Sequence, residues 1–128
     1  MMSKKEIAKK YIEYLEQGKT ECIIELFSDN GKVTSPIYGT KLASTFYNNL
    51  NEDTLNSKLI INGIFEEEDS NRIALYFKYK WTLKNKKNVM FDVVDIIAFN
   101  SKNKIIQLHI IYDTVKSRGL VNAMHLTK

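Results

Sequence analysis

A single α+β domain is predicted by three features of the 128-residue chain. Apolar residues recur every three to four positions in its first half and every second position in its second half. Short polar turns separate the later segments. The first pattern marks helices with one buried face, and the second marks strands whose side chains alternate between two faces. Helices segregated from sequential hairpins make an α+β fold with an antiparallel sheet, not a parallel one.

The elements follow in order. Ile7, Ala8, Tyr11, Ile12 and Leu15 form one apolar stripe of a first helix, which Gly18 ends. Thr20 is placed to cap a second helix with Ile23, Ile24 and Phe27 inward, stopped by Ser28-Asp29-Asn30-Gly31. A short strand is expected over 32–35, halted by Pro36, the only proline. Thr40 then reads as the cap of a third helix with Leu42, Ala43, Phe46, Tyr47 and Leu50 on its buried side. Four strands are expected over 57–66, 71–83, 88–100 and 104–114, joined by acidic, Asn/Lys-rich and Ser-Lys-Asn turns. The segment 115–128 reads as weakly helical or frayed.

The whole chain, 1–128, is sized for one domain. Its composition is 44% hydrophobic and 27% charged, as in soluble globular proteins. No apolar run approaches the roughly 20 residues that span a bilayer, and residues 1–10 lack the apolar centre of a secretory signal. Cys22 is the only cysteine, which excludes an intrachain disulfide and a thiolate-built zinc site; a cytoplasmic protein without metal or cofactor is expected. The net charge of +4 is scattered over several turns and interrupted by the acidic run Glu66–Asp69. It reads as solvated surface, and neither nucleic acid nor membrane is expected as a partner.

The last two strands carry most of the information. One parity of the third long strand is Phe91, Val93, Asp95, Ile97, Phe99; the other is Asp92, Val94, Ile96, Ala98. In the fourth strand, Ile105, Gln107, His109, Ile111, Asp113 alternate with Ile106, Leu108, Ile110, Tyr112. A sheet with one wet face shows one polar parity. Here both are largely apolar, so both faces are expected to be covered: one by the helices, the other by a second subunit. A homodimer through the outer sheet face is therefore expected.

The order helix, helix, strand, helix and four antiparallel strands resembles the nuclear transport factor 2-like superfamily, including ketosteroid isomerases, polyketide cyclases of the SnoaL type and limonene epoxide hydrolases. The likeness rests on Lys10-Tyr11-Ile12, on the run from Leu26 to Val33, and on Ser35-Pro36-Ile37-Tyr38-Gly39. It continues in Val94-Asp95-Ile96-Ile97-Ala98-Phe99 and Lys104-Ile105-Ile106. The resemblance implies a strongly curved, cone-shaped antiparallel or mixed sheet around an internal pocket. Tyr11 falls where ketosteroid isomerases have their oxyanion-hole tyrosine, and Asp95 where they have a neutral aspartic acid that donates a hydrogen bond. That family is a standard example of a carboxyl pushed upward in pKa by an apolar site. The family's proton-abstracting aspartate precedes the proline, where this chain has Ser35, so the resemblance implies a pocket with two donors and not the isomerase reaction. Epoxide hydrolases place an aspartate near Asp113, but they also need an arginine where Val93 stands.

The residues alone agree on Asp95. A carboxyl between Val93 and Ile97 needs a partner, such as a lysine, or neutralisation. Tyr11 is either a core tyrosine or a pocket donor. His109 is either a base near neutral pH, with Asp113 as its alternative, or a contact at a strand end or dimer surface. Tyr38, Trp81, Phe91 and Phe99 are expected to line the pocket. The leading expectation is a protein that binds a small apolar ligand through a carbonyl or hydroxyl group. The alternatives are an isomerase-, cyclase- or dehydratase-like enzyme using His109 or Asp113, and an interaction module with a filled pocket.

Overall fold

The structure is a computed structural model that describes residues 2–126. Helix α1 spans Lys4–Gln17. Ser3 accepts from the Glu6 N–H at 3.2 Å, and the Glu6 carboxylate accepts from the Ser3 N–H at 3.0 Å, a reciprocal cap. Gly18 ends the helix with φ of 70°, in the left-handed region, and its N–H is directed at the Leu15 and Tyr14 carbonyls. Helix α2 spans Thr20–Glu25 and α3 spans Ala43–Asp53. The strands are β1 Phe27–Ser35, β2 Gly39–Leu42, β3 Thr54–Glu66, β4 Arg72–Leu83, β5 Asn88–Phe99 and β6 Ile105–Ile111. A fourth helix, α4, covers Val115–Leu126; residues 127–128 of the expected tail lie outside the described residues.

The strands form one curled, unclosed sheet in the order β2-β1-β6-β5-β4-β3. Only β1 and β6 run parallel; the other neighbours are antiparallel. Register shifts interrupt β3 near Leu55 and Asn62 and β1 between Phe27 and Lys32, and such bulges bend the strand that carries them. Helices α1 and α3 fill the concavity. Their stripes (Ile7, Ala8, Tyr11, Ile12 and Leu15; Ala43, Phe46 and Tyr47) meet Leu75, Phe77, Ile97 and Leu108 of the sheet in one core.

The local caps are where expectation and structure part. Residue 19 occupies the position before α2 with no side-chain cap, and Thr20 is the first helical residue. Thr40 lies in β2, a strand the sequence did not announce, and α3 starts three residues later, leaving Leu42 largely exposed. The Ser28–Gly31 stretch continues β1 and does not simply stop a helix. Phe27 belongs to that strand yet stays buried. At Gly31 an added Cβ would stand 2.8 Å from the Ile105 carbonyl oxygen, so the close approach of β1 to β6 requires glycine there.

Register in β6 is decided by one extra residue. Ala98 faces Gln107 and Phe99 faces Ile105, so Ile106 is the bulge. Ile105, Leu108 and Ile110 point inward, whereas Gln107, His109 and Ile111 share the outer face. That outer face is half-covered at Tyr76, Val94, Ile96 and Ala98. It is open at Phe65, which is 58% exposed. Among the described residues no helix is long and apolar enough to cross a membrane.

Candidate functional site

The inner faces of β4, β5 and β6 and the buried sides of α1 and α3 enclose a cavity of about 40 Å3. Phe77, Tyr79 and Trp81 of β4 make one wall, and Phe91 and Val93 of β5 another. Ser35, Tyr38 and Tyr112 stand at its rim. Tyr38, Trp81 and Phe91 are thus among its lining residues. Phe99 does not line it: although on the same face of β5, it lies four residues beyond Asp95 and is fully buried in the core opposite Ile105.

Asp95 lines this cavity from β5, with Leu75 of β4 and Ile110 of β6 as its cross-strand neighbours. It is 1% exposed, and neither carboxyl oxygen has a hydrogen-bond partner among the described residues. No lysine meets it. Desolvation penalises the charged form, so burial holds its pKa well above the ordinary carboxylate value. A protonated carboxyl is a donor as well as an acceptor.

Tyr11 lines the same cavity from α1. Its hydroxyl is 2.7 Å from that of Tyr47 on α3, with the rings edge-to-face at a centroid separation of 6.0 Å. Burial, above all, pushes both phenols well above their ordinary pKa, so each is a neutral donor and acceptor. When Tyr47 donates to Tyr11, the Tyr11 hydrogen is left for the cavity. From the α3 stripe Tyr47 is expected only in the core. The α3 stripe announced its burial, but nothing local announced a partner 36 residues away.

Four other polar tips around the cavity, those of Ser35, Tyr38, Tyr79 and Trp81, have hydrogen-bond partners. The Tyr79 and Ser57 hydroxyls are 2.8 Å apart, and the Trp81 indole N–H donates to Thr54 Oγ1 at 2.8 Å. Tyr38 Oη donates to Asp53 Oδ2 at 2.6 Å, and Ser35 Oγ accepts from the Tyr38 N–H at 3.0 Å. The aromatic rings therefore offer the cavity mainly their apolar surfaces. Among the described residues, Asp95 is a lining side chain whose polar atoms are buried without any partner.

The two expected bases are not brought to Asp95. His109 is exposed on the outer face opposite Ile96, since the Ile106 bulge turns that parity away from the core. Asp113 is exposed beyond β6, where Oδ1 accepts from the Val115 N–H at the start of α4. A different acid–base pair stands near the rim: His125 Nε2 lies 3.0 Å from both Asp53 oxygens. No signal in the sequence joins residues 72 positions apart. No three His, Cys, Asp or Glu side chains converge into a metal site among the described residues.

No protein-family model matches the chain, and no curated protein is similar to it in sequence. Solved structures are similar in fold. A nuclear transport factor 2-like protein of unknown function from Burkholderia pseudomallei K96243 has a TM-score of 0.80 at 14% identity, over 94% of this chain and 98% of that one. An epoxide hydrolase/cyclase-like enzyme of pyran ring formation in the polyether salinomycin has a TM-score of 0.75 at 16% identity, over 86% and 90%. A ketosteroid isomerase-like fold from Catenulispora acidiphila DSM 44928, in complex with trimethylamine, has a TM-score of 0.74 at 12% identity, over 84% and 85%.

Proposed function

From a nuclear transport factor 2-like fold with an acid at the bottom of an aromatic cavity, we propose that the protein binds a small, mostly apolar molecule through a carbonyl or hydroxyl oxygen. Asp95 and Tyr11 are the donors in this reading, with Tyr47 orienting Tyr11. The observation that carries it is the Asp95 carboxyl, buried with both oxygens unpartnered. A group in that state costs free energy in the empty protein, and an oxygen ligand would supply the missing hydrogen bond.

Turnover is not part of the proposal. Ser35 is too weak a base to take a carbon-bound proton, and His109 and Asp113 face away from the cavity. The fold neighbours include enzyme-like proteins, but a shared scaffold does not carry their chemistry. A second reading, a module whose interior is filled by its own side chains, draws on the small free volume.

Trp81 is the only tryptophan and lines the cavity, so its fluorescence reports occupancy. Titration with cyclohexenone and with phenol should give a saturable change. Tyr11→Phe should weaken affinity about tenfold, as about 1.4 kcal/mol of hydrogen bonding is lost. An unsaturable response would favour the filled module, and an unaltered affinity in Tyr11→Phe would remove the donor role.

We also infer a homodimer through the outer sheet face, where Phe65 and Ile111 are exposed and Tyr76, Val94 and Ile96 are half-covered. Light scattering at micromolar concentration should give twice the chain mass, and Ile96→Lys should give the monomer. A monomeric parent protein would end this reading.

A further inference from the structure

At about 40 Å3 the cavity has more than the ~10–15 Å3 a water needs, and far less than the ~150 Å3 that admits benzene. A ligand containing a ring therefore requires the surroundings of the cavity to yield; α4 lends no side chain to the lining but is tied to the segments that do. Strands β4 and β5 share an unbroken ladder, β6 pairs with β5 on both sides of the Ile106 bulge, and α1 and α3 are packed in the core. Helix α4 is held differently. It starts just after Tyr112, a rim residue stacked on Phe91 with ring centroids 4.4 Å apart. At its middle, Arg118 Nη2 donates to the Pro36 carbonyl oxygen at 2.6 Å, in the loop between the rim residues Ser35 and Tyr38. At its end, His125 meets Asp53, which also accepts the Tyr38 hydroxyl.

Between these ties only Ser117, Val121 and Met124 are fully buried, while Val115 and Leu126 at the two ends are 82% and 87% exposed. Gly119 sits mid-helix with nothing near its missing Cβ, and costs about 1 kcal/mol relative to alanine. A 12-residue helix has little stability of its own. Elements with few buried side chains open locally, ahead of the rest of the fold.

We propose that α4 is the gate of the cavity, latched by Arg118 on Pro36 and by His125 on Asp53, and that ligands enter when it lifts from the rim. Because His125 and Tyr38 share Asp53, releasing the helix also loosens a ring that lines the cavity. The purpose of the gate rests on the small-molecule reading, but its motion can be measured without a ligand.

Acrylamide quenching of Trp81 in the full chain tests it, since this ring lines the cavity and is 3% exposed. Arg118→Ala with His125→Ala should raise the quenching constant about threefold or more, each single variant giving part of the rise. Hydrogen exchange should quicken over residues 115–126 while β4 and β5 stay protected. Unchanged quenching would overturn the gate, as would faster exchange spread evenly over the sheet. So would quenching that responds only to Leu50→Ala: Leu50, with Leu15, lines both the cavity and a cleft of about 130 Å3 between α1, α3 and β3. Failure of the cyclohexenone and phenol titrations would leave these readouts intact, so the two ideas fail separately.

Discussion

Asp95→Val should make the protein more stable by about 1–3 kcal/mol while abolishing cyclohexenone and phenol binding. The wild-type carboxyl left water on folding and gained no partner among the described residues in return. Valine fits the apolar surroundings of Leu75, Val93, Ile97 and Ile110, with free volume beside it. Urea unfolding at neutral pH measures the gain, and the Trp81 titration measures the loss. A variant less stable than wild type would mean that the carboxyl has a partner in solution.

The same group sets a pH dependence. Its folded pKa is raised well above the value of 3.8 for a free aspartate, so at pH above that value the folded state holds a proton the unfolded chain has released. The stability tied to this proton is fully present below the unfolded pKa. It is lost as pH rises toward and through the folded pKa, at up to about 1.4 kcal/mol per pH unit. Asp95→Asn removes the titration while keeping the shape. The stability difference between wild type and Asp95→Asn should therefore shift steadily against wild type from about pH 4 upward. A difference that does not vary with pH would mean that Asp95 titrates alike in both states.

The hydroxyl pair of Tyr11 and Tyr47 should show strong non-additivity. Tyr11→Phe or Tyr47→Phe alone leaves one phenol oxygen buried without its 2.7 Å partner, and each should cost about 1–3 kcal/mol. The double variant removes both ends, and should cost little more than one single change. Denaturant unfolding of the four proteins closes the cycle. Additive losses would show that the two hydroxyls do not depend on each other in solution.

Much of this was legible in the chain. The change from period 3.6 to period 2 located α1, the buried side of α3 and the long hairpins. Asp95 stood out because a carboxyl in the parity of Val93 and Ile97 has nowhere wet to go. Polar caps were less informative. Thr20 and Thr40 have side chains that can end a helix, but Thr40 was drawn into β2 by pairing with β1. His109 and Asp113 share a parity by simple counting, yet one bulge at Ile106 and the end of β6 placed both outside the cavity.

By itself the sequence determined which surfaces must be buried, because apolar spacing is a local property of the helix and strand repeats. It also determined that one acid would be buried with them. Only the tertiary structure decided what that acid meets. The Tyr11–Tyr47 pair, the Asp53–His125 contact and the seat of α4 on Pro36 join residues 36 to 82 positions apart. Such contacts arise from how the sheet curls and where its register slips, and a side-chain pattern with period 2 looks the same on either side of a bulge.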